Sequence, residues 1–144
     1  MSTVRDVLKG KGSEVITLTA DATVLAAARL MNERGIGGVL ITNGGALEGI
    51  FTERDVLRRV VAEGRDPATT PLRDVMTTKL MTCSPQATLD DCASVMTSGG
   101  FRHLPVLGSE GLCGVVSSRD VLASCVAEQQ TTIQHLSSYV YDLR

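Results

Sequence analysis

Two short runs carry the chemistry legible in this chain: Thr52-Glu53-Arg54-Asp55 and Ser117-Ser118-Arg119-Asp120. Each sets a hydroxyl three residues ahead of a carboxylate, immediately before an apolar helical run. That spacing is a helix capping box, in which side chains satisfy the first orphan N–H groups of the helix. The same pair on a first helical turn also makes a pocket that can grip a ribose. The carboxylate accepts from sugar hydroxyls, while unpaired N–H groups at the helix start favour phosphate. A lone tetrad would favour capping alone. Here it occurs twice, with Arg at the third position both times, and each copy follows a strand entered through a glycine, Gly49 or Gly114. No catalytic constellation stands beside them: the histidines are His103 and His135, and no serine or cysteine sits in a nucleophile context.

The tetrads belong to a larger duplication. Residues 15–60 recur as residues 80–125 in register and without a gap, so Ala22 matches Ala87, Thr23 Thr88, Met31 Met96, Gly49 Gly114 and Asp55 Asp120. A short prelude, Val4-Arg5-Asp6-Val7-Leu8, recurs as Leu72-Arg73-Asp74-Val75-Met76, three residues out of phase with the rest. A unit longer than solenoid repeats predicts two similar folding units packed face to face. Whatever site one copy carries, the other carries a variant of it.

Each unit reads β-α-β-β-α. Val15–Leu18 is a short β-rich run, followed by a helix capped by Thr23 with Val24, Ala27, Ala28 and Met31 on one stripe. Gly35 stands where a left-handed stop is wanted. In the second copy Thr88 takes the cap, Leu89, Cys92, Ala93 and Met96 keep the stripe, and Gly99-Gly100 ends it. Val39-Leu40-Ile41 and Leu104-Pro105-Val106-Leu107 are buried-strand runs. Asn43-Gly44-Gly45 is hairpin chemistry, answered by Gly108-Ser109-Glu110-Gly111. Third strands (47–51, 112–116) lead into closing helices with the apolar pairs Val56/Leu57 and Val60/Val61, matched by Val121/Leu122 and Cys125/Val126. These pairs predict a wide apolar face on each closing helix. The expected organisation is a first repeat over 4–64, a connector over 65–71, a second repeat over 72–126 and a helical tail over 127–144. The tail's narrow stripe of Ile133, Leu136, Val140 and Leu143 suits docking on a partner or on the body of the protein.

Composition narrows the function classes. At 144 residues and 43% hydrophobic, with 3% aromatic and no Trp, the chain suits one compact α/β domain, or two small halves, with an aliphatic interior. A net charge of −2 with mixed signs gives no broad basic face, against nucleic-acid binding. No apolar run nears membrane length and the polar N-terminus is no signal peptide, so no membrane association and a cytoplasmic location are expected. The cysteines, Cys83, Cys92, Cys113 and Cys125, lack metal-ligand spacing, and no metal is expected. Their first-copy counterparts Leu18, Ala27 and Val60 are apolar, which marks them as small fillers; Cys113, matched by Glu48, keeps a redox role open.

The duplicated β-α-β-β-α pattern, Gly49-Ile50-Phe51-Thr52-Glu53-Arg54-Asp55, Gly114-Val115-Val116-Ser117-Ser118-Arg119-Asp120 and Phe101-Arg102-His103-Leu104-Pro105-Val106 together resemble a tandem pair of CBS domains, the family named for the regulatory region of cystathionine β-synthase. The resemblance runs from about Val4 to about Val126. It implies a disc-like module of two pseudo-symmetric repeats that binds adenosine compounds (AMP, ADP, ATP, sometimes NAD(H) or S-adenosylmethionine) in clefts between them and pairs into a homodimer. Carried over by position, the main cleft has Asp120 and Ser117 on the ribose, Arg102 and His103 on the phosphate, and the base against Ile16 and Ile36. The second cleft uses Thr52 and Asp55, with the base near Met81 and Phe101. Here the copies differ, because Gly37 and Gly38 stand opposite Arg102 and His103; Arg54 or Arg58 is the available cation.

The expected function is therefore a non-enzymatic nucleotide-sensing module that acts through its dimer or through a separate effector protein. Two readings compete with it: an interaction scaffold with decayed sites, and a redox enzyme working through its cysteines or a bound NAD(H). The intact Asp55 and Asp120 speak against decay.

Overall fold

The computed structural model describes residues 2–11, 15–127 and 129. In chain order the elements are α1 (Val4–Lys11), β1 (Thr17–Leu18), α2 (Val24–Arg34), β2 (Gly38–Asn43), β3 (Ala46–Thr52) and α3 (Glu53–Asp55), which runs on as a π-helix over Val56–Val61. A 3-10 turn (Leu72–Asp74), α4 (Leu89–Gly99), β4 (His103–Gly108), β5 (Gly111–Ser117) and a helix α5 over 118–127 follow among the described residues. The mixed α/β architecture with two repeats is the one expected from the pattern.

The duplication holds down to single bonds. Thr23 Oγ1 accepts from the Ala26 N–H at 3.1 Å, and Thr88 Oγ1 from the Asp91 N–H at 3.1 Å, so both second helices start on the threonine cap. They stop at Gly35 and Gly100, both left-handed with φ of 65° and 72°, a conformation that a side chain would oppose. Strands β2 and β3 pair antiparallel with a bulge after Ile41, leaving Glu48 unopposed; β4 and β5 repeat the bulge after Val106, leaving Cys113 unopposed. On the other edge, β1 pairs parallel with β2 through Leu18 and Ile41. Among the described residues the second copy keeps one such parallel bridge, Cys83 to Val106.

The preludes do not stay with their own repeats. The Val4 N–H donates to the Ala87 carbonyl at 2.9 Å, and the Leu72 N–H donates to the Ala22 carbonyl at 2.8 Å. Arg5 N–H to Pro85 O and Arg73 N–H to Ala20 O continue the same exchange, at 2.9 and 3.0 Å. Packing follows the bonds. Val4 is wholly buried with Leu89, Cys92, Met96, Leu104, Val106 and Val116, whereas Leu72 and Val75 are buried with the first-copy residues Val24, Met31, Val39 and Phe51. The chain thus has two aliphatic cores, each completed by the other copy's prelude. Full burial of one such side chain contributes about 1.5–3 kcal/mol, so neither half is complete alone. The three-residue phase shift is the difference in length of the two segments that lead back from prelude to first strand.

The connector is also docked. Pro67 and Thr70 carbonyls accept from the Leu25 and Val24 N–H groups at 3.0 Å each, satisfying donors at the start of α2. The closing helix of the first copy departs from the simple expectation. Its π-helical bonding, with the Ala62 N–H on the Leu57 carbonyl, splits the apolar quartet. Val60 is buried and Val56 packs on the core, but Leu57 and Val61 are 63% and 62% exposed. The wide apolar face is therefore half committed inward. The tail stripe Ile133, Leu136, Val140 and Leu143 lies outside the described residues. Among the described residues, no helix is long and apolar enough to cross a membrane.

Candidate functional site

Both tetrads form the capping box, and in both the carboxylate closes back on the strand end. Asp120 Oδ2 accepts from the Ser117 N–H at 2.8 Å and from Ser117 Oγ at 3.0 Å. Asp55 Oδ2 accepts from the Thr52 N–H at 2.9 Å and from Thr52 Oγ1 at 3.2 Å. The capping reading is thus correct for both. What surrounds each carboxylate differs.

At Asp120 the third partner is Lys11, from the end of α1. Its Nζ donates to Asp120 Oδ2 at 2.8 Å and to the Val115 carbonyl at 3.0 Å. The Lys11 side chain is 43% exposed and that of Asp120 17%. Burial alone would raise the Asp120 carboxyl, but the Lys11 and Ser117 hydrogen bonds and the lysine charge outweigh it and hold the group below the ordinary carboxylate value. Asp120 is an ionised, partly accessible acceptor. Beside it, between α1 and α5, opens a groove of about 340 Å³ walled by Ser2, Asp6, Val7, Asp120, Ala123 and Ser124. Arg102 and His103 are not among those walls.

At Asp55 the surroundings are closed. Thr77 Oγ1 donates to Oδ1 at 3.1 Å, and Arg59 Nε stands 3.5 Å from the same oxygen, one helical turn on. Asp55 is buried. Thr77 is held there by reciprocal backbone bonds to Ile50, both 2.9 Å. Both carboxylate oxygens are occupied by the protein's own donors.

The seam between the copies lies where β2 and β4 begin. His103 pairs with Ser117 across β4/β5, as Gly38 pairs with Thr52 across β2/β3. A Cβ placed on Gly37 would lie 3.6 Å from His103 Nε2 and 3.5 Å from Glu53 Oε2; one on Gly38 would lie 3.6 Å from His103 Cδ2 and 3.2 Å from Thr52 Cγ2. The imidazole therefore rests on the Gly37-Gly38 backbone. Burial depresses the His103 pKa and Lys11 and Arg102 depress it further, while Glu53 and Asp120 pull upward. The charges of Lys11, Glu53, Arg102 and Asp120 are thus all felt at His103.

The remaining expected residues lie on several different elements. Arg102 is exposed, and its carbonyl accepts from the Ser118 N–H at 2.8 Å, as the Gly37 carbonyl accepts from the Glu53 N–H at 3.0 Å. Ile16 and Ile36 pack half-buried on the first core, and Phe101 on the second, its ring against Gly99. Met81 is 44% exposed. Arg54 donates to the Gly100 carbonyl at 3.3 Å, and Arg59, not Arg58, sits at Asp55.

Four residues at these sites escaped the sequence reading: Lys11, Glu53 as a neighbour of His103, Arg59 and Thr77. Arg59 was readable as an i,i+4 partner of Asp55, and its counterpart Ser124 explains why Asp120 draws its cation from elsewhere. Lys11 and Thr77 sit just past the preludes, and only the exchange of preludes brings them to the carboxylates. Cys83 and Cys92 keep to the filler reading: burial, with neighbouring Cys92, pushes the Cys83 thiol up to about 12, and burial raises Cys92 as well; Cys125, whose counterpart Val60 is buried, is instead exposed. Among the described residues no group of three or more His, Cys, Asp or Glu gathers as metal ligands.

Comparison with known proteins agrees with the geometry. The CBS domain family model matches residues 3–62 and 72–127. The chain is 34% identical over 148 residues to the mitochondrial CBS domain-containing protein CBSX3 of Arabidopsis thaliana, covering 96% of this chain and 72% of that one. It is 31% identical to the CBS domain-containing protein YhcV of Bacillus subtilis, covering 94% and 97%. A solved CBS-domain protein of Burkholderia ambifaria superposes with a TM-score of 0.84 at 37% identity, over 89% of this chain and 96% of that one. Two copies of one unit, carboxylate caps at the same place in each and matches along nearly the whole described length make this chain a member of the CBS-domain family, with two CBS domains in tandem.

Proposed function

We propose that the chain is a non-enzymatic regulatory module that binds an adenine nucleotide, AMP, ADP, ATP or NAD(H), at the Asp120 cleft. One observation carries this reading: Asp120 is an ionised acceptor at the start of α5, partly open to solvent, with Lys11 on it and the Arg102-His103 pair at the start of the neighbouring strand. In the proposed complex Asp120 and Ser117 take the ribose hydroxyls, Arg102 and His103 face the phosphate, and Ile16 and Ile36 offer apolar surface to the base. Charge-assisted phosphate contacts make this the tighter cleft. The second cleft, with Thr52, Asp55, Met81 and Phe101, is the weaker one because Thr77 and Arg59 already satisfy Asp55.

That closed state favours the scaffold reading for the first copy alone. The exposed Leu57 and Val61, with their counterparts Leu122 and Val126 at 64% and 41% exposure, support a homodimer through the closing helices. Sedimentation of the Leu57→Glu/Leu122→Glu double variant should show a monomer. An unchanged oligomer rejects that interface.

Thermal shift with AMP, ADP, ATP, NAD, NADH and S-adenosylmethionine tests the ligand class. A ligand that binds the folded state raises Tm by mass action, so at a hundred times Kd about 2.7 kcal/mol is gained. No response to any adenine compound would leave only the scaffold reading.

A further inference from the structure

The Lys11 ammonium occupies one oxygen, Oδ2, of the carboxylate that a ribose diol would bridge. Asp120 Oδ2 receives three donors, the Ser117 N–H, Ser117 Oγ and Lys11 Nζ, at 2.8, 3.0 and 2.8 Å. The two from Ser117 are built into the helix cap and cannot leave without opening it. The one from Lys11 comes from outside the repeat, 109 positions away in sequence, on a side chain 43% exposed to solvent. It is the replaceable partner.

Replacement has a condition. A ribose hydroxyl is a neutral donor, and a neutral donor is a weaker partner for a carboxylate than an ammonium. A nucleoside without phosphate therefore exchanges a charge-assisted bond for an ordinary one and leaves the lysine with water and the Val115 carbonyl. A nucleotide brings its own anion. Of the ammonium's three N–H groups, two are spent on Asp120 and Val115 O, and a pivot of the flexible stem carries the charge to a phosphate beside Arg102 and His103. At the opposite carboxylate the partners are fixed: Thr77, bridged to Ile50, and Arg59, one turn along the same helix, hold Asp55.

Resting on the nucleotide-binding reading above, we propose that Lys11 determines specificity at the Asp120 cleft: its ammonium on Oδ2 competes with the ribose of unphosphorylated nucleosides and gives way to nucleotides, whose phosphate it then holds. The residue is a competing counter-ion in the empty cleft and a phosphate ligand in the filled one.

The test is calorimetric titration of the full chain, wild type, Lys11→Gln and Lys11→Arg, with adenosine and with AMP. Wild type should prefer AMP by at least about tenfold, a difference of roughly 1.4 kcal/mol. Lys11→Gln should move the two ligands in opposite directions, adenosine tightening and AMP weakening, and Lys11→Arg should keep the wild-type order. Lys11 is an exposed surface residue, and the melting temperature of each variant reports whether the fold is intact. A shift of both ligands in the same direction, or of neither, overturns the specificity role while leaving nucleotide binding in place. If wild type binds neither adenosine nor AMP but binds another nucleotide of the thermal-shift panel, the same pair of measurements with that nucleotide and its nucleoside decides. If it binds no adenine compound, the nucleotide reading falls and this proposal falls with it.

Discussion

Leu8 packs against Gly114 so closely that a Cβ on the glycine would stand 2.9 Å from Leu8 Cδ2, although the two residues come from opposite copies of the repeat. Met76 and Thr77 approach Gly49 in the same manner, at 3.0 Å to Met76 Sδ and 2.8 Å to the Thr77 carbonyl. The glycine ahead of each tetrad is where the other copy's prelude crosses the third strand. The crossing also delivers Thr77 to Asp55 and Lys11 to Asp120.

Gly49→Ala is therefore expected to destabilise the protein. The nearest atom is a backbone oxygen bonded into the Ile50–Thr77 bridge, which cannot turn aside, and such overpacking costs about 1–3 kcal/mol. Gly37→Ala, whose Cβ would meet nothing nearer than 3.5 Å, should be close to neutral in the same urea titration. Equal costs for the two variants would mean that the prelude does not press on β3.

Asp55→Ala should act on stability more than on binding. It removes a buried carboxylate that caps the helix and holds Thr77, leaving donors unpaired; the loss is about 2–3 kcal/mol. For a chain of this size that is a fall in Tm of roughly 5–10 °C. Asp120→Ala, whose carboxylate is more exposed and whose third partner is a surface lysine, should lower Tm less. The reverse order would contradict the assignment of Asp55 as the structural carboxylate.

Much of this architecture was legible in the residues because it depends on local rules. Thr23 and Thr88 cap, Gly35 and Gly100 stop, and the tetrads close on themselves, all within a few residues of chain. The constant offset between the copies carried the pairing of the strands with it. The exchange of preludes was not legible. Val4 and Leu72 have the same apolar character whichever core they enter, and only long-range geometry decides between the two. For the same reason nothing local ties Lys11 or Thr77 to a carboxylate. The split of the Val56/Leu57/Val60/Val61 quartet into inward and outward members was hidden too, because α- and π-helical bonding share one sequence pattern.

His103 should make stability depend on pH. Its folded pKa lies below the ordinary 6.5, first through burial, so the unfolded chain takes up the proton first as pH falls. The contribution of the neutral imidazole is complete above 6.5 and declines as pH drops below it toward the folded pKa. Urea titrations between about pH 7.5 and 5.5 should show wild type losing stability more steeply than His103→Gln. Parallel curves would place the imidazole in solvent, off the Gly37-Gly38 backbone.

The central claim is that the two carboxylates, alike in their caps, differ in function. Calorimetric titration of AMP into wild type, Asp120→Asn and Asp55→Asn tests it most directly. Wild type should take up roughly one AMP per chain in its tighter phase, with an affinity that Asp55→Asn leaves within about threefold and Asp120→Asn weakens by at least about tenfold. Undiminished AMP affinity in Asp120→Asn, or its loss in a folded Asp55→Asn, would contradict the account.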